Sequence, residues 1–170
     1  MTPPILLAVP NVSEGRSAET IAAIGVAFTG GGAGATGEPA AAGEVRLLDV
    51  HSDADHHRSV FTLAAAPEAL VEAIVRGAAA SLARIDVMAR PEGQAARGQH
   101  PHVGALDVAP IVYLNPSDRG AACAAALVLS DRLGAELGLP VFLYGELTGD
   151  GAGSVRTRAE LRRGGLAALA

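Results

Sequence analysis

Two periods of apolar residues organise this chain. Residues 5–9, Ile-Leu-Leu-Ala-Val, form a short continuous apolar run stopped by Pro10-Asn11 and read as a buried strand. Ile21, Ile24, Gly25 and Phe28 then recur at helical spacing. Residues 29–43 are almost entirely Gly, Ala, Thr and Pro, a composition that buries little surface, and predict a mobile surface loop. Residues 44–50 and 58–63 contain Val, Leu, Phe and Thr on either side of a polar stretch at 51–57, the pattern of a hairpin.

Pro67-Glu68 suits the first turn of a helix, where the N–H that proline lacks is not needed. Leu70, Val71, Ile74, Val75, Ala78, Leu82 and Ile85 make its apolar stripe. Residues 107–114 predict a fourth strand. Ser117 is placed to cap a helix running to about Leu137, ended by Gly138 and Pro140 before a further strand at 141–144. A short helix near 157–163 closes the reading. The fold class expected is α+β: a ferredoxin-like βαββαβ core extended by a further α-β-α, a mixed sheet with helices on one face, in a single domain over residues 1–170.

That order has a functional consequence. Right-handed crossovers make the strands they join parallel, and the hairpin makes its pair antiparallel. The loops at residues 10–16, 51–57 and 98–106 then share one edge of the sheet, and all five histidines fall in them.

Composition narrows the alternatives. The chain has 170 residues, 49% of them hydrophobic and 18% charged, a balance that supports one folded core. Aromatics are 3% and tryptophan is absent, so the core is aliphatic. A net charge of -5 argues against nucleic acid, which is bound by clustered Lys and Arg. Arg156, Arg158, Arg162 and Arg163 read as a solvated helix face. The lone Cys123 sits among Ala, Leu and Val and reads as a buried, inert thiol in a reducing compartment. No apolar run approaches the roughly 20 residues of a membrane-spanning helix. No basic residue precedes the first apolar run, as a secretory signal would require, and a cytoplasmic location is expected.

Three stretches carry chemistry. In Gly98-Gln99-His100-Pro101-His102-Val103-Gly104, Pro101 biases His100 towards extended backbone and the glycines permit tight turns. An imidazole held there titrates at roughly 6.5 and can act as a general base. The alternative is a surface histidine bonded to its own loop. His51-Ser52-Asp53-Ala54-Asp55-His56-His57-Arg58 is either a polar turn or, with several imidazoles beside Asp53, a metal site, although no H-E-x-x-H or C-x-x-C spacing accompanies it. Pro10-Asn11-Val12-Ser13-Glu14-Gly15-Arg16 lies between strand and helix. Free backbone N–H groups there can hold a carboxylate or phosphate with help from Asn11, Ser13 and Arg16, or the string is an ordinary capped turn.

Taken together these stretches resemble the N-terminal subdomain of the glutamate formimidoyltransferases. The likeness spans nearly the whole chain and also includes Leu47-Leu48-Asp49-Val50, Arg58-Ser59-Val60-Phe61-Thr62, Gly104-Ala105-Leu106-Asp107-Val108 and Leu143-Tyr144-Gly145-Glu146. It implies transfer of a formimino group from formiminoglutamate to tetrahydrofolate as co-substrate, without a metal. His100, at the family's Gly-Glu-His-Pro-Arg histidine, is then the general base. Asn11, Ser13, Arg16, His51, Asp53, His57, Arg58, His102 and Gly104 become the candidates for binding folate and the glutamate derivative. This sequence departs from the family in placing His51 where an aspartate is usual, His102 for an arginine and His57 for an asparagine. Residues 89–97 include an insertion, and the 29–43 loop is longer than the family's. The family places folate between two similar subdomains, so the resemblance implies either completion of the cleft by a homodimer or a partner C-terminal subdomain, or a non-catalytic folate-binding or interaction module.

Overall fold

A computed structural model describes residues 3–31, 44–88, 102–149 and 154–163. The first strand is split into β1 (Leu6–Ala8) and β2 (Asn11–Val12), and the fourth into β5 (Leu106–Val108) and β6 (Ile111–Val112). Each break falls at a proline, Pro10 and Pro110, which has no N–H to give a ladder. The two breaks face each other. Val9 N–H donates to the Pro110 carbonyl at 3.1 Å, and Phe61 N–H donates to the Pro10 carbonyl at 3.0 Å, so the carbonyls at both breaks stay bonded.

Between them in sequence lie β3 (Arg46–Asp53) and β4 (Arg58–Ala65). The β4 strand pairs with β3 on one side and with β1 and β2 on the other, while β1 pairs with β6 and β2 with β5. Every one of these pairings is antiparallel. The expected mixed sheet is therefore corrected among the described residues. The further strand expected at 141–144 does not form, since that segment pairs with no described strand; Gly145 N–H instead donates to the Arg156 carbonyl at 2.7 Å, turning the chain towards its C-terminal region. The expected hairpin is present, but β3 runs through His51 to Asp53, so the turn is shorter than 51–57 and His51 belongs to a strand.

Along β4, Ser59, Phe61, Leu63 and Ala65 are buried and the intervening residues are not, which identifies the face beneath the helices. Helix α1 (Ala18–Thr29) packs against α2 (Pro67–Leu82), and α2 against α3 (Arg119–Leu137); these touch β3, β1 with β4, and β6 respectively. Ser17 caps α1 by accepting from Thr20 N–H at 3.2 Å, and Gly30 ends it with φ of 70°. Gly77 lets α2 approach α1, since a Cβ there would lie 2.0 Å from the Phe28 ring. Phe28 and Phe61, both fully buried, have ring centroids 5.0 Å apart.

Two further expectations change. Ser117 does not cap α3, because Pro116–Asp118 forms one turn of 3-10 helix and the helix starts after Asp118 without a side-chain cap. Cys123 is half-buried rather than buried. Of the loop expected at 29–43, Thr29 completes α1 and residues 32–43 lie outside the described residues. The last element among the described residues is α4 (Arg158–Leu161), opened by a capping box between Thr157 and Glu160.

Candidate functional site

The splitting of the first strand brings residues 13–16 over the end of the β3–β4 hairpin. Ser13, 4% exposed, donates its hydroxyl to the Gly104 carbonyl at 2.7 Å, and its N–H bonds the Ala105 carbonyl at 3.0 Å. This joins the first loop to the approach to β5. Gly15 N–H donates to His57 Nδ1 at 3.0 Å, Arg16 Nε to the Ala54 carbonyl at 2.9 Å, and the Ser59 hydroxyl to the Glu14 carbonyl at 2.6 Å. These join it to the hairpin. A Cβ on Gly15 would meet the Asp53 carbonyl at 2.2 Å, so only glycine allows this approach. His102 Nε2 lies 3.2 Å from the His56 carbonyl, and its ring stands edge-on to His57 with centroids 5.9 Å apart. Of the three loops predicted to share an edge, the described parts, residues 10–16, 51–57 and 102–106, do converge.

These bonds settle the two imidazoles. His57 Nδ1 accepts from an amide, so the ring is neutral with its proton on Nε2; His102 Nε2 faces a carbonyl, so it is the donor. Burial lowers the pKa of His57 and the Arg16 and His102 charges add to this, against the pull of Glu14, whose Oε1 lies 3.5 Å from Nδ1. His57 also has φ of 52°, the left-handed region, and is the non-glycine residue with positive φ among those described.

The other candidates have separate duties. Asp53 Oδ1 accepts from the N–H groups of Asp55 and His56, and its Oδ2 pairs with His56 Nδ1 at 2.9 Å; these bonds to His56, backbone first, hold its carboxyl below the ordinary range. Asn11 donates its amide to the Val9 carbonyl at 2.9 Å. His51 is exposed on the edge strand β3, opposite Val60. Arg58 is turned away from the hairpin tip onto Asp107, whose side chain is 0% exposed and also receives Arg162. Arg162 is thus 19% exposed, which corrects its reading as part of a solvated helix face. His100 lies outside the described residues, two positions before His102.

Sequence reasoning passed over Glu14, Gly15 and Asp107 as individual residues. The carbonyl of Glu14, the close approach of Gly15 and the buried carboxylate of Asp107 act on partners tens of residues away, which no local pattern displays. Among the described residues no cluster of three or more His, Cys, Asp or Glu could hold a metal ion, and no helix is long and apolar enough to cross a membrane.

Residues 5–170 match the family model described as formiminotransferase domain, N-terminal subdomain. The chain is 38% identical over 138 residues to the formimidoyltransferase-cyclodeaminase of Gallus gallus, covering 81% of this chain and 22% of that protein. It is 36% identical over 138 residues to the glutamate formimidoyltransferase of Thermoplasma acidophilum, covering 81% and 40%. With the glutamate formimidoyltransferase of Streptococcus pyogenes it shares 32% over 140 residues, 82% of this chain and 41% of the relative. The chain thus spans less than half the length of these relatives.

Proposed function

This chain belongs to the formiminotransferase family, in the part described as its N-terminal subdomain, and from that premise we propose that it takes part in formimino transfer from formiminoglutamate to tetrahydrofolate. The observation that carries the reading is the convergence of the Ser13–Arg16 loop, the hairpin tip and the approach to β5, joined by the Ser13–Gly104, Gly15–His57 and His102–His56 contacts. His100 is the general base. As the folate N5 amine attacks the formimino carbon, neutral His100 accepts the proton lost, then returns one to the departing glutamate nitrogen. Holding both substrates in one cleft supplies further acceleration by fixing their geometry.

Asn11, Ser13, Arg16, His51, Asp53, His57, Arg58, His102 and Gly104 are the proposed contacts and supports for folate and the glutamate derivative. Neutral His57 offers a ring N–H donor where the family places an asparagine, and His102 offers its Nε2 N–H where the family places an arginine. The core connectivity is read as ferredoxin-like, supported by the pairing of β4 with β3 and with the split first strand, which in turn pairs with the split fourth.

His100→Ala is expected to abolish transfer while leaving tetrahydrofolate affinity within about threefold, because a general base contributes to the transition state more than to ground-state binding. Undiminished turnover in that variant would remove the role. A second reading is a folate-binding or interaction module without catalysis. Tetrahydrofolate binding without turnover, whether by the chain alone or with a C-terminal subdomain supplied, would select it.

A further inference from the structure

The β3 edge of the sheet and helix α1 leave one flank of the fold open. Among the described residues β3 pairs only with β4. Phe61 N–H donates to the Pro10 carbonyl, so its backbone groups face the split first strand and those of Val50, opposite it, face away from β4. Ser52, two positions on, is turned the same way. Val50 lies on the same face as buried Phe61, beneath the helices, yet is 39% exposed. Helix α1 stands over this edge. A Cβ on Gly25 would lie 3.5 Å from the Phe61 ring of β4 and 3.6 Å from Leu47 of β3, so α1 straddles the two strands. At about 100° per residue, Phe28 and Val26 leave Gly25 on opposite sides. Phe28 meets α2 at Gly77, while Val26, 58% exposed, points out over the free edge with exposed Ala22 one turn before it.

Two such edges fit each other. A two-fold axis normal to the sheet joins β3 antiparallel to its copy and keeps the helices of both copies on one side. Strands about 4.8 Å apart then set the two α1 helices about 10 Å apart, an ordinary packing distance, with Ala22 and Val26 of each between them. Charge selects the register. The bulge between Leu47 and Asp49 ends the regular strand, so the candidate axes lie on residues 49, 50 and 51. An axis on Asp49 opposes two carboxylates, and one on His51 opposes Asp49 to the partner's Asp53. An axis on Val50 sets Asp49 opposite the partner's His51, twice by symmetry, and lets the outward backbone groups of Val50 bond those of the partner's Val50.

We propose that the chain pairs with a second copy of itself through β3, antiparallel about a two-fold axis at Val50, with α1 packed on the partner's α1. The pairing satisfies backbone groups that the edge leaves to water and removes Val26 and Val50 from solvent. It does not depend on the transfer reading, since His51 enters through its place on the strand.

The test is sedimentation velocity of the chain together with oxidative cross-linking. The wild type should form dimers whose share grows with concentration. Val26→Arg, at an exposed position, should weaken dimerisation about tenfold or more and leave thermal unfolding at low concentration unchanged. His51→Asp, which opposes two carboxylates, should weaken dimerisation to a similar degree, and combining it with Asp49→His should recover it. In a Cys123→Ser background, Val50→Cys should form a disulfide-linked dimer, because its Cα meets the partner's at about 5.5 Å. Asp49→Cys, about 7–8 Å from its copy, should not. A strictly monomeric wild type, dimers that persist in both Val26→Arg and His51→Asp and so use another face, or equal cross-linking at positions 49 and 50 would each overturn the proposal.

Discussion

His57 shows how one side chain ties chemistry to structure. Its Nδ1 can accept from Gly15 N–H only while unprotonated, and burial lowers its pKa, so the folded chain binds this proton less readily than the unfolded one. The stabilisation is therefore complete above the ordinary histidine value of roughly 6.5 and is lost as pH falls from there through the lowered folded value. Asp53, whose pKa is also depressed, contributes in the same direction at more acid pH. Melting temperature followed from pH 8 down to 5 should fall, and His57→Gln should flatten the part of that fall just below roughly 6.5. A wild-type profile rising towards pH 5 would contradict this. Asp107 makes a second residue-scale case. Asp107→Ala leaves Arg58 and Arg162 without their shared partner, at a cost of about 3–5 kcal/mol in denaturant unfolding. A change below 1 kcal/mol would show that water or other groups compensate.

At the scale of elements, the helix α1–α2 contact depends on Gly77. Gly77→Ala gains up to about 1 kcal/mol of helix propensity but places a methyl on the Phe28 ring, where overpacking costs about 1–3 kcal/mol, so net destabilisation is expected in thermal unfolding. A more stable variant would mean that Phe28 can move aside. The elements themselves were largely legible in the sequence, because hydrophobic period, Pro67 and the glycines at 30 and 138 act locally. Strand 141–144 was not. Val, Phe, Leu and Tyr there satisfy a strand pattern, yet a strand needs a partner, and its neighbour Gly145 is bonded to Arg156 instead. The proline breaks at Pro10 and Pro110 follow the same rule in reverse: the residues announce a missing donor, while only pairing shows that the two gaps lie side by side. In the candidate site the convergence of loops followed from topology. The bonds of Ser13 to Gly104 and Gly15 to His57 join residues 91 and 42 positions apart and could not be read locally.

For the molecule as a whole, Leu48 and Val50 on β3 and Val112 on β6 remain 54%, 39% and 39% exposed. Leu48 and Val50 lie two positions apart on β3, which pairs only with β4 among the described residues, and an edge strand with exposed apolar side chains favours association with another chain; Val112 lies on β6, two strands beyond β4. Sedimentation velocity should reveal self-association that grows with concentration, and a strictly monomeric chain at high concentration would count against a cleft completed by a second copy. The central claim is that this chain, a member of the formiminotransferase family, holds a reduced folate beside the His100 motif. Calorimetric titration with tetrahydrofolate tests it most directly: the account predicts saturable binding by the wild type, retained within about threefold by His100→Ala, and an absence of saturable binding by the wild type would contradict it.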